Sequence, residues 1–580
     1  YRYRWSRHHH DPALRETAFF LMDNLARIRA DGRWDDGGLA SYFGLQSFAW
    51  ATWFWLETGE VDAPRASRWK AAVKAAADDA MRCMQRNQCS GQYANPEFYY
   101  LSGLAAAGAI CDNEAYTAEA RKALKRYENV LWPGGGVAYF HQTSPQHGYQ
   151  QMVTKSVALY WLATRDRYAL EWLRRLAPYF VNVQHRSGLL TDAEQPWLKH
   201  GFYNPVNPAI PGLLACILND GTNRYAAEIA AKNRADNVAG RMPSFLEANP
   251  NWYNYHHTTY AATLLRVLEI CRLPKATPPS PNRVLRDHGF AGVRSHWQNF
   301  TAAVGTRHKN DSLAGAYIAD TAEPMMPLDS ALDGVFSEIL CGDRKDGKDR
   351  GALWRATFSC LDINPERHFV EHADLQAASC CSRLCNPYWN DHPWLPGERG
   401  GHSQVADWTS IQHWAVWRDH LIGFCSLRCL ANGGKAETDD QARIRWRLAP
   451  LNRDLQINTP EGASLTATCG KLQVEAQMLE EKGGFHFETL DAQAPPHAPR
   501  APVLVRPAPW RCGDRVSAAT DAHPVSSDTD VRIKPLKEAA AAVMVEPGGT
   551  RAYVWIASLG RHVRQHHLAP LNGVQVRVFE

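Results

Sequence analysis

At 580 residues the chain exceeds a single ordinary core, and at about 100 to 200 residues per unit it is expected to fold as on the order of two to four. Apolar residues at 45% and charged residues at 21% exclude a disordered or low-complexity chain. A net charge of +4, with Lys and Arg spread along the whole length, excludes nucleic acid as the expected partner while leaving room for a locally basic cleft.

The chain opens Tyr1-Arg2-Tyr3-Arg4-Trp5 without an initiator Met or an apolar leader, so a removed leader or a trimmed terminus is expected, and with it a periplasmic or secreted location. No apolar run is long enough to be a transmembrane helix. Apolar residues recur at helical spacing over 14–28, 39–56, 64–84, 96–110, 115–130, 149–163, 169–181, 208–218, 225–234 and 256–271. Loops such as Trp132-Pro133-Gly134-Gly135-Gly136 and Ala248-Asn249-Pro250-Asn251 punctuate these helices. Successive helices without a fixed-period repeat point to hairpins wound into an α/α toroid, an incomplete barrel whose inter-helix loops gather at one cleft.

Residues 274–284 are Pro-rich and read as a linker. Beyond them, short runs such as 289–294, 300–304, 353–360, 421–429, 465–468, 541–545 and 551–557 read as strands between turns. The expected class is therefore α+β multidomain: an α/α toroid over residues 1–273, the linker, and an antiparallel β-sandwich domain over residues 285–580, with the cleft between the two domains.

Fourteen cysteines show no regular framework and no CxxC pair with matching ligands, so neither a structural zinc nor any required cofactor is read from them. Disulfides and buried free thiols both stay open. The 21 Trp, 21 Tyr and 19 Phe are more than a core demands, and the surplus is expected as flat faces for ring-shaped ligands. No GxGxxG or P-loop in strand-to-helix context, no HExxH and no GxSxG is present, which removes dinucleotide, zinc-protease and serine-hydrolase chemistry from the candidates.

Chemistry concentrates in two stretches, Ser144-Pro145-Gln146-His147-Gly148-Tyr149-Gln150-Gln151 and His200-Gly201-Phe202-Tyr203-Asn204-Pro205. An amide, an imidazole and a phenol are the groups needed to draw a proton from a carbon beside a carboxylate. Tyr203 follows His147 by 203 − 147 = 56 positions. A third stretch, Gly400-Gly401-His402-Ser403-Gln404-Val405-Ala406-Asp407, lies in the β half.

On these three motifs the chain resembles the two-domain uronate lyases of the heparinase II/III and alginate lyase superfamily. Those proteins pair a polar residue with His on a toroid helix, place the catalytic Tyr some fifty to sixty residues later, and add a His from the β domain. The resemblance implies Gln146, His147, Tyr203 and His402 as catalytic residues, Gln146 standing where the family has Asn. Asp287-His288-Gly289-Phe290-Ala291-Gly292-Val293-Arg294-Ser295 similarly resembles the opening strand of their β domain. Where relatives use a second His to hold zinc, this chain has Gln404, which counts against that zinc, while a structural metal elsewhere stays open. The implied activity is β-elimination on a uronic-acid-containing polysaccharide, and the implied partner is an acidic polysaccharide or oligosaccharide.

Further candidates for sugar binding are Asn95, Tyr149, Gln150, Trp197, Asn251, Trp252, Tyr253, Tyr255 and His256, which offer amides for hydroxyls and aromatic faces for rings. Each has a plain structural alternative: His147 as a loop cap, Asn95 and Asn254 as helix caps, the aromatics as core. Two other functions stay open. A glycoside hydrolase on the same toroid needs paired carboxyl groups, for which Asp192, Glu194 and Glu97 are the loop candidates. A non-catalytic glycan-binding protein would use the same aromatics without turnover.

Overall fold

The computed structural model describes residues 12–35, 41–85, 94–137, 147–186, 206–240, 250–287, 292–304, 314–318, 331–341, 352–355, 366–372, 374–385, 405–429, 443–450, 456–458, 464–469, 471–479, 486–489, 502–506, 513–549, 552–559, 566–571 and 577–579. It divides into two units. One comprises Tyr1–Asn182, Val206–Ala231 and Pro243–Pro278, and the other Val183–Pro205, Lys232–Met242 and Pro279–Glu580.

Ten α-helices occur among the described residues: α1 Pro12–Leu25, α2 Ser41–Thr58, α3 Ala63–Gln85, α4 Ala94–Cys111, α5 Glu114–Arg126, α6 His147–Thr164, α7 Arg167–Val183, α8 Ala209–Leu218, α9 Gly221–Gly240 and α10 Pro250–Leu268. Their order follows from their faces. In α6 nearly every residue from His147 to Leu162 is buried, and α8 is buried from Ala209 to Cys216, so both are wrapped by neighbours on all sides. By contrast α5 buries only Tyr116, Glu119, Ala120, Ala123 and Leu124, one amphipathic stripe, behind an Asn113 cap that accepts from the Ala115 amide at 3.1 Å. The inner helices α2, α4, α6, α8 and α10 pack in that sequence, each against the next, with α3 and α5 applied to α4 from outside. Gly103 permits the close approach of α4 to α2, since a Cβ there would lie 2.7 Å from Leu45 Cγ. An ion pair between Glu57 of α2 and Arg266 of α10 joins the two ends of the arc.

Two helix starts differ from the sequence expectation. α10 begins at Pro250, six positions before residue 256, because Pro is favoured in a first turn where its missing N–H costs nothing. Asn251, Trp252, Tyr253, Tyr255 and His256 are therefore helical, and Asn254 is no N-cap. Likewise α4 begins at Ala94, which puts Asn95 within its first turn.

In the second unit the described strands pair antiparallel throughout. A long run joins Glu366–His372, Leu375–Cys385, Val405–Trp417, His420–Cys429, Arg515–Pro524 and Leu472–Met478 side by side. A separate five-stranded meander is formed by Asp530–Leu536, Ala539–Val545, Ala552–Ser558, His566–Leu571 and Arg577–Phe579. Their common core shows that the sheets lie face to face: Leu375, Trp417, Ile422 and Phe424 from the first meet Ala540, Ala542, Met544 and Trp555 from the second. Alanines leave room for the large rings, and Phe424 stacks on Trp555 at 5.0 Å. Among the described cysteine side chains, Cys111, Cys216, Cys271 and Cys425 are free thiols.

Candidate active site

The first turn of α6 organises the helical unit's polar loops. His147 opens the helix and is fully buried, with Nδ1 2.6 Å from the hydroxyl of Tyr179 on α7. That contact through Nδ1 fixes the orientation of the ring. Its place at the start of an inner helix puts the imidazole at the positive end of the helix dipole, where an anion is favoured.

One turn on, Gln150 is buried and its amide is taken at both ends by backbone. Nε2 donates to Gly135 O at 2.8 Å, and Oε1 accepts from the Val137 amide at 2.8 Å. It thus pins the loop 131–137, itself closed by a Leu131 to Val137 bridge and by Trp132 N to Gly136 O at 2.8 Å. Gly135, at φ +89°, leaves no room for a Cβ, which would stand 2.5 Å from Arg175 O. Sequence reasoning placed Gln150 against sugar; the geometry gives its amide to this loop.

Gln151 makes the matching contact on the other side. Its Oε1 accepts from the Asn207 amide at 2.7 Å, and Asn207 Oδ1 accepts from the Ala209 amide at 3.0 Å to start α8. The interval from Gln151 to Asn207 is 56 positions, the same as from His147 to Tyr203.

Deeper along α6, Lys155 is buried and lines a cavity of about 280 Å³ with Trp50, Trp53, Phe54, Leu159 and Thr263. Its ammonium nitrogen lies 4.9 Å from the ring of Tyr99 and 5.5 Å from that of Tyr260. Burial in this aromatic surrounding pushes its pKa down to about 7. Nothing in its spacing within the helical run separates Lys155 from a solvated lysine, and Tyr179 and Gln151 were equally unmarked.

Of the other candidates, Tyr149 is half-buried on α6. Asn95, Asn251, Trp252, Tyr253, Tyr255 and His256 lie in the first turns of α4 and α10, with side chains outside the described set. Gln146, Trp197, Tyr203 and His402 lie outside the described residues, as do Asp192 and Glu194. Glu97 is described, and it is only 1% exposed. At position 404 the neutral amide of Gln is a poor zinc ligand.

No protein-family model matches the chain, and no curated protein matches it. Among solved structures, the chondroitin AC lyase of Streptomyces coelicolor A3 in complex with chondroitin sulphate is similar at a TM-score of 0.52 and 12% identity, over 96% of this chain and 82% of that one. Two structures of heparinase III are similar at a TM-score of 0.50 and 10% identity, over 96% and 90% of this chain and 81% and 73% of theirs. The chain thus has the fold of these polysaccharide lyases, an α/α toroid with a β-sandwich domain.

Proposed function

We propose that this chain is a polysaccharide lyase that cleaves a uronic-acid-containing polysaccharide by β-elimination. The observation that carries the reading is the anchoring at the start of α6. His147 is held there by Tyr179, and Gln151 ties down Asn207, four residues after Tyr203. The shared fold with lyases of acidic glycans supports it.

In this mechanism Gln146 and His147 donate to the substrate carboxylate and neutralise it, which makes the neighbouring C5 proton acidic and stabilises the enolate that develops. Tyr203 takes that proton, its pKa lowered from about 10 by nearby positive charge. The C5–H electron pair forms the C4=C5 double bond as the C4–O bond breaks, and a proton passes to the departing oxygen from Tyr203. His402 assists from the β domain. Where the substrate presents C5–H on the other face, His147 is the base. Asn95, Tyr149, Trp197, Asn251, Trp252, Tyr253, Tyr255 and His256 supply sugar contacts, while Gln150 acts through the loop it holds. Such a polymer is met in the periplasm or outside the cell.

The test is ultraviolet absorbance of the conjugated unsaturated uronate during incubation with a panel of uronans and glycosaminoglycans, with Tyr203→Phe in parallel. A rise with the native protein that the variant lacks is the expected result. Reducing ends without absorbance would instead identify a hydrolase, and saturable binding without product a glycan-binding protein.

A further inference from the structure

At the far end of the hairpin formed by Val405–Trp417 and His420–Cys429, three ligand-type side chains converge. His420 begins its strand, and Asp521 and His523 alternate on the neighbouring strand Arg515–Pro524, so both project from one face. The register pairs Leu421 with Ala522, which sets His420 opposite His523. Ring centroids of the two histidines are 4.8 Å apart. His420 is 1% and Asp521 2% exposed, while the His523 side chain at 15% borders the surface.

Hydrogen bonding around the cluster fixes its proton arrangement. Thr529 Oγ1 lies 3.0 Å from Asp419 Oδ1, and because a carboxylate only accepts, the hydroxyl proton is there. The Thr529 oxygen must therefore accept from His420 Nε2, 2.7 Å away. With Nε2 bonded to Thr529, His420 turns Nδ1 toward both oxygens of Asp521, each at hydrogen-bond distance of 3.0 Å, and a metal ion bound here would take the place of the proton in that contact. His523 Nδ1 stands 3.3 Å from Asp521 Oδ2 in an orientation that makes no hydrogen bond. Each of the three residues thus offers a ligand-type atom, and these atoms all lie within 4.8 Å of one another. Asp419 and Glu475 add further negative charge toward His523.

We propose that His420, Asp521 and His523 form a binding site for a single divalent transition-metal ion, zinc above all, that clips the 417–420 turn to the strand Arg515–Pro524. Ligand bonds of about 2.0 Å at tetrahedral angles put neighbouring ligand atoms about 3.3 Å apart, close to the 3.0 and 3.3 Å that separate Asp521 from His420 and His523. Two imidazoles and one carboxylate are a zinc-type donor set, with a fourth position left for water. Thr529, bonded to the far nitrogen of His420, orients the ring as the outer partner of a metal-bound His does. The site is independent of position 404 and takes no part in the elimination.

The test is metal analysis and calorimetric titration of the full chain, stripped with a chelator and then offered Zn2+, Co2+ or Mg2+. One equivalent of Zn2+ is expected to bind and raise the unfolding temperature, with Mg2+ inert. Co2+ should give the intense visible bands of a tetrahedral site. His523→Ala is expected to abolish binding, and Thr529→Val to weaken it about 10- to 100-fold while folding normally in chelator. Absence of stoichiometric Zn2+ binding to the native chain would overturn the proposal and leave a hydrogen-bonded His–Asp–His cluster. So would binding that both variants retain unchanged.

Discussion

His147 and Tyr179 share a contact of 2.6 Å between two buried side chains, so the phenol decides which way the imidazole faces. Tyr179→Phe keeps the packing and removes only that partner. It is expected to lower kcat about 10-fold or more with KM little changed and to move the pH profile of turnover, a response that a purely structural residue would not give. Lys155 makes a prediction of a different kind. Its folded pKa of about 7 lies below the ordinary 10.5, so between those values the unfolded chain binds more protons than the folded one. Stability therefore rises with pH across that window, and the full penalty applies below it. Lys155→Met, which keeps the volume, is expected to stabilise the chain at pH 7 by about 3 to 4 kcal/mol and to flatten this part of the pH dependence in thermal melts. An unchanged melting temperature would show that the cavity solvates the amine.

The first turn of α6 and the loops it binds act as one element. Gln150→Ala would leave Gly135 O and the Val137 amide without their partner in a buried place, at a cost of about 2 to 4 kcal/mol. Calorimetry should record that loss, and activity should fall with it because His147 begins the same helix. In the sheet, the equivalent weak point is Gly423, which faces Trp414 across the strand pair. A Cβ there would lie 2.4 Å from the indole, so Gly423→Ala should lower the melting temperature of the β unit by several degrees. These dependencies were not legible in the chain: Gln150 read as a sugar ligand and Gln151 carried no assigned role, whereas each spends its amide on backbone brought near by folding. The helices themselves were legible, because burial of one face imposes a 3.6-residue period on local sequence.

Across the whole molecule, two units with separate cores are expected to unfold in more than one transition. Differential scanning calorimetry checks this, and Gly423→Ala should displace only the transition of the β unit. The ten helices, the Pro-rich change from helix to strand, and the antiparallel character of the second half were determined by the sequence itself, since periodicity, Pro and turn residues act over a few neighbours. So was the 56-position interval between His147 and Tyr203. Only the tertiary structure decided that Tyr179 holds His147, that Lys155 lines an aromatic cavity, and that His420, Asp521 and His523 meet. The reason is distance along the chain. His420 and Asp521 are 101 positions apart, and strand register brings them together through pairings that no local pattern encodes.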